Sequence, residues 1–201
     1  MEKLIAKAKV LLEALPYIQR FAGTTVIIKY GGNAMVEPKL QAGFAQDVVL
    51  LQSLGLRPVV VHGGGPQIAR AFEAAGLEAR FVDGKRVTDD KAMKVVERVL
   101  GTTINREIVQ LIRAHGGKPV GLGGSNGKAL NVRRLGSLKG EPDLGRVGAV
   151  ESVASEMIEG LTASGRIPVV APLGVDDEGL SYNVNADTAA AEVAVALGAN
   201  K

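Results

Sequence analysis

Apolar positions along the chain recur with two different spacings, and the alternation between them points to a fold class. Leu4, Ala8, Leu11, Leu15 and Ile18, flanked by Ile5 and Leu12, fall on one helical stripe, with Lys3, Lys7 and Glu13 off it. Pro16 removes a backbone donor and crowds the carbonyl of Leu12, so a kink is expected there. Val26-Ile27-Ile28 then reads as a buried strand, residues 40–54 as a helix with Phe44, Val48 and Leu51 on one face, and Val59-Val60-Val61 as the next strand. A strand, a helix and a strand in that order make a βαβ unit, which implies a parallel sheet and an α/β fold.

Beyond this unit, Pro66 suits the first turn of a helix, where its missing N–H has no intrahelical partner to lose. Residues 89–114 predict a long helix, with Thr88 as N-cap and Gly116-Gly117 at its end. Residues 118–122 and 167–173 are further strand candidates, and residues 130–150 have the glycine-broken alternation of hairpins. Residues 188–197 read as a final helix that Asn185 and Asp187 could cap.

Composition narrows the function. The 201 residues are 46% hydrophobic and 22% charged, the balance of an ordinary globular chain. A net charge of +3 spread along the sequence and an aromatic content of 3% offer neither a basic stripe nor a stacking platform, so no nucleic-acid partner is expected. Lys85-Arg86 and Arg133-Arg134 are local pairs only. The absence of cysteine and the presence of only two distant histidines, His62 and His115, exclude a disulfide framework and argue against a zinc cluster. With no signal peptide and no long apolar run, a cytoplasmic location without membrane contact is the expectation.

Three polar, glycine-rich stretches carry the chemistry: Lys29-Tyr30-Gly31-Gly32, His62-Gly63-Gly64-Gly65 and Asn183-Val184-Asn185-Ala186-Asp187. Each follows an apolar run and precedes a helix-like segment, the place where open α/β sheets bind ligands. A lysine alone at a strand end would ordinarily point to water. Followed by two glycines that leave N–H groups uncovered, Lys29 becomes a candidate phosphate contact. Gly63-Gly64-Gly65 before Pro66 reads either as a tight turn or as an anion cradle at a helix N-terminus. A cation, free N–H groups and a carboxylate converging at one place would be the equipment of a phosphoryl-transfer site.

Better-known signatures fail. Gly123-Gly124-Ser125-Asn126-Gly127 fits a bare nucleophile elbow, but both histidines precede Ser125 and the following residues read as strand, so a glycine-rich loop is the better reading and a hydrolase a weak alternative. A Walker A loop would need Ser or Thr at Ala129 and Gly at Leu122. Ile68 stands where a dinucleotide fingerprint requires glycine or alanine.

Four runs occur together in one order: Val26 to Met35 (VIIKYGGNAM), Val59 to Gln67 (VVVHGGGPQ), Asp83 to Thr88 (DGKRVT) and Tyr182 to Asp187 (YNVNAD). With them the chain resembles, from end to end, the N-acetylglutamate kinases of the amino acid kinase family. The arginine in the third run separates this branch from aspartate, uridylate and carbamate kinases. The resemblance implies an open, mainly parallel sheet sandwiched between helices, with a hairpin lid over the substrate site. It also implies ATP-dependent phosphorylation of the side-chain carboxylate of N-acetyl-L-glutamate, giving N-acetyl-L-glutamyl 5-phosphate in arginine biosynthesis.

Carried over residue by residue, Lys29 would reach the transferring phosphoryl group, with phosphate held at Gly31 and Gly32. Gly64 and Gly65 would hold substrate oxygens, Arg86 would pair with the substrate's α-carboxylate helped by Asn183, and Asp187 would orient the catalytic lysines. ATP would enter with Mg2+ on its phosphates, and no protein metal cage is expected. A kinase of N-acetyl-aminoadipate or of a carrier-linked analogue is the near alternative; a non-catalytic acyl-amino-acid-binding lobe is the distant one.

The N-terminal stripe resembles the extension of arginine-inhibited members. It implies a homo-hexamer, a trimer of dimers, with arginine as feedback inhibitor; the simpler reading packs the helix on its own subunit. Residues 1–22 are thus expected to be an oligomerisation helix, 23–180 an acyl-amino-acid lobe and 181–201 the start of a nucleotide lobe. Family members continue well beyond the Asn-Val-Asn-Ala-Asp motif, so the chain reads as truncated and, by itself, inactive.

Overall fold

Short valine-rich runs ended by glycine build the centre of the molecule. The computed structural model describes residues 1–123, 127–136 and 142–201. Helix α1 (Glu2–Phe21) leads to strand β1 (Thr25–Tyr30), helix α2 (Pro38–Ser53) and strand β2 (Arg57–His62). Helix α3 (Gly65–Ala74) then begins with Pro66 in its first turn. A small hairpin of β3 (Phe81–Val82) and β4 (Lys85–Arg86) precedes helix α4 (Asp90–Glu97), a π-helical segment (Arg98–Ile104) and helix α5 (Asn105–Ala114). The remaining elements are β5 (Pro119–Leu122), β6 (Leu130–Arg134), β7 (Gly148–Val153), α6 (Ser155–Ala163), β8 (Ile167–Val170), β9 (Leu173–Val175), β10 (Ser181–Asn183) and α7 (Ala186–Ala196).

The main sheet has the order β1-β2-β8-β5 with every pair parallel. Alternation along its strands sends side chains to two cores. Val60, Ile167 and Val169 join Phe72, Val96, Leu100, Ile108 and Ile112 on the face covered by α2 to α5. Val59, Val61 and Val170 face the other way, against Leu130, Val132, Ile158, Ala189 and Val193. A central strand buried on both faces needs apolar residues at every position, which is why β2 reads as an unbroken valine run. The second core is closed by a mixed sheet, β10-β9-β6-β7, in which β6 and β9 pair in parallel and the other pairs are antiparallel.

Several local expectations are corrected. The helix cap before α4 is Asp89, whose side chain accepts from the Ala92 N–H at 2.7 Å; Thr88 is instead buried and donates to Arg86 O at 2.8 Å. The expected helix over 89–114 is continuous only through its π segment. The expected strand over 167–173 splits, because the chain leaves the main sheet after Val170 and Leu173 enters the other one. Helix α6, between β7 and β8, is an element beyond those expected. Helix α1 continues through Pro16, and none of its residues is buried. The predicted hairpin over 130–150 is the antiparallel pair β6 and β7, its residues 137–141 lying outside the described ones. Ser125 also lies outside them; the element that follows in the chain is strand β6, where a nucleophile elbow would need a helix.

Candidate active site

The carboxyl ends of β1, β2 and β8 open into one cavity of about 270 Å³. Its lining includes Lys29, Gly31, Gly32, Gly64, Gly65, Arg86, Asn183 and Asp187, so every site residue expected from the sequence meets here. Parallel strands end on the same side of a sheet, and that geometry gathers motifs lying far apart in the chain.

At the end of β1, Lys29 Nζ lies 3.1 Å from Asp187 Oδ1. Asp187 sits in the first turn of α7, where a carboxylate also meets the favourable end of the helix dipole. Asn185 performs the capping: its Oδ1 accepts from the N–H groups of Asp187 at 2.8 Å and Thr188 at 3.0 Å. The Asp187 carboxylate is thereby left to the lysine. After Lys29 the chain turns through Gly32, at φ 64, into a single 3-10 turn, Gly32–Met35. Tyr30 fixes that turn by donating from its hydroxyl to Ala34 O at 2.8 Å while its ring stacks on Phe44.

The second glycine turn follows β2. Gly63 N–H donates to Tyr30 O at 2.7 Å, which ties the two turns together. Gly64 meets the π segment at close quarters: a Cβ there would lie 2.6 Å from both Leu100 Cδ2 and Ile104 Cδ1. A side chain there would have to push both of these methyl groups aside. Pro66 has no N–H, so the start of α3 offers donors from its glycine backbone without competition from the proline.

The hairpin brings Arg86. Asp83 and Gly84 both have positive φ, at 48° and 73°, the conformation that a two-residue Asp-Gly hairpin turn requires. Phe81 is then paired opposite Arg86. The guanidinium lies between two rings, 4.6 Å from the centroid of Phe81 and 4.9 Å from that of Phe72. It is only 9% exposed, and burial lowers its pKa from the ordinary value. Among the described residues its Nη1 has no hydrogen-bond partner. A buried donor left unmade costs about 1–3 kcal/mol, which an anionic ligand would recover. Asn183 reaches the same wall, its Nδ2 3.5 Å from Thr88 Oγ1.

Sequence reasoning missed Phe81 and Leu100 as wall residues, Phe72 as the ring packed on Arg86, and Lys85 as a third cation in the lining beside Lys29 and Arg86. Phe81 was accessible from the Asp-Gly turn, which fixes the hairpin register. Phe72 and Leu100 were not, since their contact with the site depends on helix packing. The only acidic side chain among the described lining residues is Asp187, and no group of three or more His, Cys, Asp or Glu placed to hold a metal occurs among the described residues. Among the described residues, no helix is long and apolar enough to cross a membrane.

Comparison with known proteins agrees with this geometry. Residues 24–201 match the model of the amino acid kinase family. An acetylglutamate kinase of Acinetobacter baumannii is 52% identical over 98% of the chain, which spans 68% of that protein. One from Chromohalobacter salexigens is 53% identical over 96% of the chain and 66% of its own length. Among solved structures, the N-acetylglutamate synthase of Neisseria gonorrhoeae in complex with coenzyme A and N-acetyl-glutamate superposes with a TM-score of 0.82 at 28% identity, over 94% of this chain and 43% of that one. Aspartokinase III of E. coli, at 13% identity and a TM-score of 0.64, shares the fold over 89% of the chain and 48% of its own.

Proposed function

The chain belongs to the amino acid kinase family, and from that premise we propose that it acts in the ATP-dependent phosphorylation of the side-chain carboxylate of N-acetyl-L-glutamate. The observation that carries this reading is the Arg86 guanidinium, buried between two rings with one nitrogen unpartnered, in the same cavity as the Lys29–Asp187 pair and two glycine turns. One end of the cavity lining would hold a carboxylate that does not react. The other would hold a phosphoryl group that does.

In this reading Arg86 binds the α-carboxylate of the substrate bidentately, with Asn183 beside it. Gly64 and Gly65 hold the substrate oxygens, and the N–H groups at Gly31 and Gly32 hold phosphate. The side-chain carboxylate is already ionised near neutral pH, so no general base is needed. One of its oxygens bonds to the γ-phosphorus while the bond from that phosphorus to the bridging oxygen breaks and ADP leaves. Two anions must approach each other, and Lys29, fixed by Asp187, offsets their repulsion as charge moves onto the transferring group. A Mg2+ ion would ride on the nucleotide phosphates, since the lone lining carboxylate is engaged by Lys29.

The same reading places the enzyme in the cytoplasm, in arginine biosynthesis. It assigns residues 23–180 to acyl-amino-acid binding and the segment from 181 onward to the nucleotide side. It further assigns α1 to a hexamer of three dimers, inhibited by arginine; the support is a helix with no buried residue and Leu4, Leu11 and Leu12 all more than 60% exposed. A substrate panel measuring phosphoryl transfer tests the central point. N-acetyl-L-glutamate should be the preferred acceptor, and preference for N-acetyl-aminoadipate would move the enzyme to the longer substrate.

A further inference from the structure

His62 takes no part in the chemistry described above, yet it is fully buried and both of its ring nitrogens are engaged. Asn105 Nδ2 lies 2.9 Å from Val169 O and 3.2 Å from His62 Nε2. Only the NH2 of the amide can face a carbonyl oxygen, which fixes the orientation of Asn105. An NH2 gives hydrogens and accepts none, so His62 Nε2 is the accepting nitrogen. The single hydrogen of the neutral imidazole is then on Nδ1, 2.9 Å from Gly63 O, and His62 donates to that carbonyl. Burial pushes the pKa of His62 down to about 4, which keeps the ring neutral under physiological conditions.

The seat of Asn105 is itself constructed. Asn105 is the residue at which the π segment gives way to α5, and a Cβ on Gly121 would strike its Oδ1. The same π segment presses Leu100 and Ile104 onto Gly64. Helix, strand and glycine turn therefore share one arrangement, and π insertions are frequent where a functional site needs such a register.

The consequence lies in the next peptide. A trans peptide holds its C=O and the following N–H on opposite edges of one plane. Anchoring Gly63 O to the buried imidazole turns the Gly64 N–H away from that ring, in a turn whose residues Gly63, Gly64 and Gly65 line the cavity. Among the described residues, the Gly64 N–H has no acceptor, whereas the Gly63 N–H is used by Tyr30 O. Between two glycines a peptide plane flips at little conformational cost, so without an anchor the donor would not stay aimed. We propose that His62, seated by Asn105, is a positioning residue that aims the Gly64 N–H at an anionic oxygen of the bound substrates. This rests on the reading of the cavity as a carboxylate and phosphoryl site.

Long-range proton–nitrogen spectra of the full chain should show His62 protonated at Nδ1 and bare at Nε2; the opposite tautomer, or an imidazolium at neutral pH, overturns the proposal. His62→Asn puts an amide NH2 near the place of Nδ1 and keeps the anchor, while His62→Gln is equally polar but reaches toward Asn105 instead. We expect His62→Gln to weaken N-acetylglutamate binding about tenfold in calorimetry and to change the residual dipolar coupling of the Gly64 N–H. His62→Asn should stay within about threefold and keep the coupling. Equal losses in both variants, or none in either, would leave His62 a space-filling core residue. Should the unsubstituted chain bind no N-acetylglutamate, the functional reading fails by itself, and the tautomer and the Gly64 coupling still decide the positioning role.

Discussion

Lys29 and Asp187 face each other at 3.1 Å, with side chains 40% and 73% exposed. An ion pair that open to water adds little stability, so its use is in aiming the lysine. In an enzyme with the full length of the relatives, Lys29→Ala is expected to lower turnover by roughly 10²–10³, as when one preorganised oxyanion donor is lost, while thermal unfolding stays close to the parent. Near-parental turnover would return Lys29 to the surface. His62 sets a different dependence, on pH. Its folded pKa of about 4 lies below the ordinary value of 6.5, so the unfolded chain binds the extra proton between those values. Stability is full above pH 6.5 and falls as the pH drops, losing on the order of 3 kcal/mol by pH 4. Urea melts at pH 7 and pH 5 should show that loss beginning, and His62→Asn should flatten this part of the profile.

Among the elements, the hairpin of β3 and β4 carries the residue that sets acceptor recognition. Its Asp-Gly turn fixes the register, the register puts Phe81 opposite Arg86, and Phe72 from α3 closes the other face of the guanidinium. A lysine could keep the charge there but could neither stack between two rings nor grip a carboxylate with a planar fork. Arg86→Lys is expected to raise the KM for N-acetylglutamate at least tenfold, by the loss of about 1.5–3 kcal/mol of charge-assisted hydrogen bonding, and to leave the KM for ATP nearly unchanged. Equal effects on both substrates would argue that the hairpin holds the nucleotide. The π segment acts at the same scale, placing Leu100, Ile104 and Asn105 against the second glycine turn in one stroke.

For the whole molecule, the unresolved economy is that of α1. Twenty residues of amphipathic helix stand with no residue buried, and Leu4, Leu11, Leu12 and Leu15 are all exposed. Covering a leucine is worth about 1.5–3 kcal/mol, so an apolar stripe of this length is a large incentive to associate. Deleting residues 1–20 is expected to convert hexamers to dimers and to weaken inhibition by arginine, with light scattering and inhibition curves as the measurements. An unchanged assembly after the deletion would defeat the interlaced arrangement.

The sequence by itself determined the βαβ beginning, the buried strands and the family, because each is written in local spacing or in a contiguous motif. It also supplied eight of the residues that line the cavity, Lys29 and Asp187 among them, since parallel strands carry whatever follows them to one edge of the sheet. What only the tertiary structure decided depends on neighbours remote in the chain. Asp89 takes the cap from Thr88 because Thr88 is drawn inside, where its backbone N–H donates to Leu144 O at 3.0 Å. The helix over 89–114 takes in a π segment, an irregularity that helical periodicity does not announce, where it meets a glycine turn some forty residues earlier. The role of His62 is of the same kind: a histidine in a glycine motif shows its chemistry, but the nitrogen that bears its proton is set by an asparagine and a carbonyl brought in from two other elements.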